Sequence, residues 1–168
     1  MAQVIKNMND LKKALEPKIK ETLELVAEDV KQEIRESLEE YYREYDPSSY
    51  IPRTKQLLNC CEIGEVKVTG NGVSIEVYLD IDSLDYTTKG ADPYKTVRAA
   101  DMGLHGGYDP SDVSLGQVPW SIVSGGNIGE RYGDGTQIWS EPMKELIDNG
   151  KLIESFKKHA KARGLNIK

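Results

Sequence analysis

An α+β fold is predicted by three features of this chain. Apolar residues recur every three or four positions through the N-terminal quarter; two alternating segments flank a glycine-asparagine turn; a second helical stripe lies near the C-terminus. The expected architecture is a long N-terminal amphipathic helix packed on a small antiparallel sheet, with a glycine-rich insertion and a C-terminal helix. The 168 residues suit one domain over positions 1–168, with 38% hydrophobic and 30% charged side chains placing it among soluble globular proteins.

The first helix is expected over residues 9–45. From Pro17 onward Ile19, Leu23, Val26, Val30, Ile34, Leu38, Tyr41 and Tyr45 keep helical spacing. Pro17 suits a first helical turn, where its missing N–H costs nothing, and Asp46-Pro47 ends the run. A short preceding helix opened by Asn9 or Asp10, with Leu11, Ala14 and Leu15, would join it through a bend. So long a helix leaves part of its stripe for another chain or for the central insertion to cover.

Residues 56–80 read as a hairpin. Glu62 to Thr69 and Val73 to Asp80 alternate polar and apolar residues around Gly70-Asn71-Gly72. Its apolar face, with Val66, Val68, Val73, Ile75, Val77 and Leu79, must be covered, and the long helix is the nearest cover. Residues 83–138 hold ten of the fifteen glycines and few aliphatic side chains, the composition of a loop-rich insertion. Short strands are expected inside it at 94–100 and 118–123. A final helix over 141–164 opens at Glu141-Pro142-Met143, is weakened at Gly150, and ends in basic residues with Gly164 as its cap.

Charge narrows the function. The net charge is −6, divided as −4 over residues 1–46, −6 over 47–143 and +4 over 144–168. An acidic chain is a poor nonspecific nucleic-acid binder, and a basic tail beside an acidic helix suits a head-to-tail contact between copies. No apolar run reaches membrane-spanning length, and the first residues lack a signal-peptide core. Cys60 and Cys61 are the only cysteines, which removes a disulfide framework and favours buried thiols over redox chemistry.

Motifs for catalysis are sparse. Asp80, Asp82, Asp85 and Asp92, with Asp101 and His105, could surround a divalent cation, but the spacing lacks the glycine and glutamate of a calcium-binding EF-hand loop. His105 lies in Gly103-Leu104-His105-Gly106-Gly107 without an accompanying nucleophile, and His159 lies among lysines where a solvated face is expected. The glycine-rich run 126–135 has no following Gly-Lys-Ser/Thr, so it is not a phosphate-binding P-loop, and no dinucleotide fingerprint opens a helix. Arg131 with Tyr132, and Arg98 near Tyr94, are set to stack or pair with protein partners. Neither cofactor nor metal is expected.

Tyr50-Ile51-Pro52-Arg53-Thr54-Lys55-Gln56-Leu57-Leu58-Asn59, following a long acidic helix, resembles the small neck and tail-completion proteins of long-tailed bacteriophages. Members of that family follow their first helix with a tyrosine, a proline, an Arg-Thr pair and a strand-opening leucine. Lys55 departs from their usual glycine. Gly103 to Gly107 looks like the glycine-rich loop of relatives from phages of Gram-positive hosts, and Glu141-Pro142-Met143 resembles their proline-initiated last helix.

The resemblance implies a noncatalytic virion protein of the neck, assembled in the host cytoplasm. It would join the tail tube or tail terminator to the head–tail connector. By the symmetry of such tails it would form a homo-oligomeric ring, expected as a hexamer, in which one patch meets a different patch on the next copy. DNA would pass the lumen without specific binding, and no membrane is involved. Residues expected at a partner interface or locking the fold are Tyr50, Pro52, Arg53, Thr54, Leu57, His105, Tyr108, Trp120, Tyr132 and Trp139, with Tyr86 and Tyr94 as further aromatic anchors. Two other readings are a metal-dependent hydrolase or nuclease using Asp80, Asp82, Asp101 and His105, and a phage-encoded module that binds a host protein.

Overall fold

The computed structural model describes residues 5–43, 56–70, 72–84, 93–101 and 137–167. It has the expected α+β class, built on one long helix, α1 (Met8–Arg43), whose 36 residues span on the order of 54 Å. Asn7 rather than Asn9 or Asp10 caps it. The Asn7 Oδ1 accepts the Asn9 and Asp10 N–H groups at 2.9 and 3.0 Å, while Asp10 reaches back to the Lys6 N–H at 3.1 Å. These bonds satisfy N–H groups that a helix start leaves without partners. The helix runs unbroken through Pro17, so no separate leading helix exists. Pro17 instead sits in an exposed helix interior, where it withdraws one N–H from the carbonyl ladder.

The hairpin forms with an added device, but it begins at Cys61 and not at residue 56: Leu57–Asn59 is a 3-10 turn, so Leu57 precedes the first strand instead of opening it. Strand β1 (Cys61–Ile63) pairs antiparallel with β4 (Val77–Leu79), and β2 (Lys67–Thr69) pairs with β3 (Gly72–Ser74). Ile63 faces Val77 and the Gly64 N–H donates to the Glu76 carbonyl at 2.8 Å, yet Lys67 faces Ser74. The first arm therefore carries one residue more than the second between those points, a bulge at Glu65-Val66. The sequence requires it. Apolar residues of the first arm occupy odd positions at Cys61 and Ile63 but even ones at Val66 and Val68, whereas the second arm keeps odd positions at Val73, Ile75, Val77 and Leu79. Strand side chains alternate with period two, so only an extra residue returns both sets to one face.

That face lies along α1. Lys31 Nζ meets Glu62 Oε2 at 3.4 Å near the hairpin base, and Lys12 Nζ donates to the Gly70 carbonyl at 3.3 Å near its tip. The nineteen-residue helix interval corresponds to about 28 Å, close to the roughly 26 Å that strand geometry gives for residues 62–70, so helix and ribbon run side by side. The core sits at the other end of the helix. Ile34, Leu38 and Tyr41 meet Leu57, Cys60, Cys61, Leu84, Val97, Ala100 and Ile138 in one buried cluster.

Two expectations for the C-terminal half are corrected. Residues Pro93–Asp101 form a helix, α2, where a strand was expected at 94–100. Pro93 fits its first position, and the buried Val97 and Ala100 have the three-residue spacing of a helix face. The expected strand at 118–123 lies outside the described residues. The single helix expected over 141–164 is two, α3 (Ser140–Ile147) and α4 (Lys151–Ala162), because Gly150 takes φ +75° and turns the chain between them. Gly164, at φ +72°, ends α4 as expected: the Leu165 N–H reaches the Ala160 carbonyl at 2.9 Å and the Gly164 N–H reaches that of Lys161 at 3.0 Å.

Leu84, Val97, Ala100 and Ile138 belong to the core, so both margins of the expected 83–138 insertion are structural parts of the domain. Replacing Pro17 by alanine restores the missing donor at an exposed site, and equilibrium urea denaturation is expected to show a gain of about 1–3 kcal/mol.

Candidate functional site

The densest set of polar contacts joins α1 to α4. A stripe of Leu152, Phe156 and Ala160 at four-residue spacing makes α4 amphipathic, and Ala160 is fully buried. Thr22, Val26 and Ala27 are the corresponding buried positions of α1. Of the four buried side chains, Ala160, Thr22, Val26 and Ala27, three are small, which lets the helices approach closely. Charged groups line the strip. Arg163 Nε meets Glu21 Oε2 at 3.0 Å, Lys158 Nζ lies 3.8 Å from Asp29 Oδ2, and Lys151 Nζ meets Glu33 Oε1 at 2.7 Å and Glu145 Oε2 at 3.4 Å. Partners 163, 158 and 151 descend as 21, 29 and 33 ascend, so the helices are antiparallel.

At the centre, Asp29 Oδ2 accepts the Ser155 hydroxyl at 2.7 Å and lies 2.9 Å from His159 Nε2. His159 is not a solvated side chain, as its position among lysines suggested; only 14% of it is exposed. Burial works against the Asp29 charge, but the Ser155 and His159 bonds and the His159 and Lys158 charges outweigh it and hold the carboxyl below its ordinary range. An ionised carboxylate only accepts, so His159 Nε2 carries a hydrogen toward it. Serine, histidine and aspartate thus meet, but not as a nucleophilic triad. Such a triad places the imidazole between serine and carboxylate, whereas here hydroxyl and imidazole both spend their hydrogens on one oxygen. The arrangement fastens two helices. Likewise Lys151, bonded to Glu33 with further help from Glu145, is held more firmly protonated than an ordinary lysine despite burial acting the other way.

A second polar fastening lies across the molecule. Asp101, at the end of α2, accepts the Trp139 N–H at 2.9 Å and the Ser140 N–H at 2.7 Å on Oδ1, and the Ser140 hydroxyl at 2.6 Å on Oδ2. A carboxylate at the start of α3 satisfies its first N–H groups and meets the positive end of its dipole. Residues 101 and 139 are therefore joined directly, and the stretch between them starts and ends at one point.

This use of Asp101 bears on the cation-binding reading. Asp82 Oδ1 accepts the Tyr94 hydroxyl at 2.7 Å, at a different place from the Asp101 cap, and among the described residues no three metal-ligating side chains gather. His105 lies outside the described residues, as do Asp85, Asp92, Tyr86, Arg131, Tyr50, Pro52, Arg53, Thr54, Tyr108, Trp120 and Tyr132, and as does the Arg98 side chain. Leu57 is buried in the core, and Trp139 packs half-buried against it. Cys60 and Cys61 are buried free thiols, each pushed up to about 11, first by burial and for Cys60 also by its neighbour. Neither is a thiolate nucleophile at neutral pH. The central part of the site, Ser155 and His159 on Asp29, carried a faint signal: Ser155 and His159 lie four apart on the half-buried side of α4.

The YomN family model matches residues 7–162, so the chain belongs to that phage-associated family. No curated protein and no solved structure matches. Among the described residues no helix is long and apolar enough to cross a membrane.

Two expectations follow for the fastenings. Because the folded-state pKa of Asp29 lies below its unfolded value, its contribution to stability is present above about pH 4 and is lost as pH falls through the lowered value. Asp29→Asn should therefore be less stable than wild type at pH 7, and urea midpoints measured from pH 7 to pH 2.5 should converge at the acid end. Asp101→Ala removes three accepted bonds and should cost about 1–3 kcal/mol in the same assay at pH 7.

Proposed function

We propose that this protein is a structural part of the phage particle: a neck subunit that forms a ring, expected as a hexamer, and joins the tail tube or tail terminator to the head–tail connector. It would assemble in the host cytoplasm and remain in the virion. Membership of a phage-associated family supports a phage role. The observation that supports the finer reading is apolar surface left open along the body. At the N-terminal end of α1, where a two-stranded ribbon lies on the helix, Met8 is 78% exposed, Ile5 50% and Val68 41%, and beside the turn between α3 and α4 Ile147 is 63% and Ile153 61% exposed. A two-stranded ribbon on one helix encloses little apolar surface, and large exposed apolar side chains at two places on one body suit burial by neighbouring subunits on either side.

A noncatalytic role agrees with the chemistry of the described residues. The serine, histidine and aspartate that meet are wired as a fastening, the thiols are buried, and Asp82 and Asp101 serve separate local bonds. In a ring, acidic surfaces turned to the lumen would let DNA pass without sticking, as like charges do not condense on phosphate.

Electron cryomicroscopy of intact particles is the direct test: density for this chain, as a ring at the head–tail junction, is expected. Its absence from purified particles, or its recovery as a monomer on one host protein, would overturn the reading. Met8→Glu is expected to change the stability of the isolated chain by less than about 0.5 kcal/mol, being exposed, yet to lower its copy number in particles measured by quantitative mass spectrometry.

A further inference from the structure

Among the described residues, the main core cluster draws on α1, β1, β4, α2 and α3 and contains no residue of α4. What holds α4 is its long face along α1, with Leu152, Phe156 and Ala160 and the row of ion pairs to Glu21, Asp29 and Glu33, together with a lesser contact to α3. The link to α3 is short, residues 148–150, and its geometry depends on Gly150 at φ +75°. The helical spacing of apolar residues nevertheless continues from Leu146 to Ile153 and Phe156, which is why the sequence reads as one helix over 141–164. Were residues 148–150 helical, α3 and α4 would form a rod of roughly 35 Å that carries α4 away from its own α1. The basic face of α4 and the acid row of α1 would then both be open, and each is already complementary to the same surface on another copy.

We infer that α4 is an exchangeable arm: its seat on α1 accepts the α4 of a second copy of this chain, through the same ion pairs and the same Asp29–Ser155–His159 bonds that close it within one chain. The inference deepens the ring reading by supplying a contact between subunits. Exchange remakes the α1–α4 contacts between chains and gives up those between α3 and α4, among them the Lys151–Glu145 pair at 3.4 Å, and short hinges favour it. A head-to-tail series of such exchanges closes into a ring, whereas a reciprocal pair makes a dimer.

Charge reversal on purified full-length chains tests it. One variant carries Glu21→Lys and Glu33→Lys; the other carries Lys151→Glu and Arg163→Glu. Each opposes like charges at both pairs within itself, while across the two chains both pairs are again opposite and Asp29 keeps its bonds to Ser155 and His159. Co-refolded at 1:1 in low salt, they are expected to give a heteromeric species by light scattering coupled to size exclusion, absent from either variant alone and dissociating as salt rises. A chain with all four changes is the folding control. If it melts like wild type while the mixture yields no heteromer, the arm does not exchange; if it fails to fold, the charge row is not what seats α4, and the inference also falls.

Gly150→Ala gives an independent reading. Alanine is disfavoured at φ +75° and favoured in a helix, so sedimentation velocity should show the exchanged oligomer enriched on the order of tenfold over wild type. A less stable variant that remains monomeric would count against the arm. Failure in these solution assays leaves the location in the particle standing, because imaging of the neck decides that separately.

Discussion

The described elements of this molecule are arranged against one helix, and the burial of Ile34, Leu38 and Tyr41 along its C-terminal half is the contact on which they depend. Those positions, spaced four and three apart, offer a continuous apolar strip that β1, β4, the 3-10 turn Leu57–Asn59, α2 and α3 share. Short strands of three residues cannot sustain a sheet by themselves. Here they gain order from the helix beneath them, and the bulge at Glu65-Val66 keeps their apolar side turned to it. The helix thus takes the part that a central sheet plays in larger α+β domains.

Around the same rod a second, differently built attachment appears. Toward the middle of α1 the apolar strip narrows to Thr22, Val26 and Ala27, and acids flank it. Exposed ion pairs individually add little to stability, whereas their pattern specifies orientation and partner strongly. The two attachments therefore differ in kind: the first supplies cohesion, and the second supplies alignment. Such a division would suit a subunit of the proposed ring, which has to be sound on its own and also fit among neighbours.

The residues made much of this legible beforehand. Periodic leucine, valine and isoleucine announced α1, the glycine-asparagine turn announced the ribbon, and Gly164 announced the end of α4, because each is a local signal that needs no distant partner. Other features required tertiary knowledge. Pro93 to Asp101 contains residues compatible with either helix or strand, and only the common burial of Val97 and Ala100 decides. The odd-to-even shift between Ile63 and Val66 was present in the sequence but reads as ordinary alternation unless both arms are compared. The complementarity of the acidic helix and basic tail was legible, while its closure within a single chain was not, since composition carries no information on which copy provides the partner. Asp101 as a cap thirty-nine residues ahead of the helix it serves has no local mark at all.

That distant cap has a corollary for the length of the chain it encloses. Because residues 101, 139 and 140 are bonded to one another, the polypeptide threaded between them leaves and re-enters at a single gate, and the entropy of closing such a circuit grows only with the logarithm of its length. Adding or removing residues between those bonded ends therefore costs little in closure entropy, and the frame that α1 organises does not depend on the length of what lies between them.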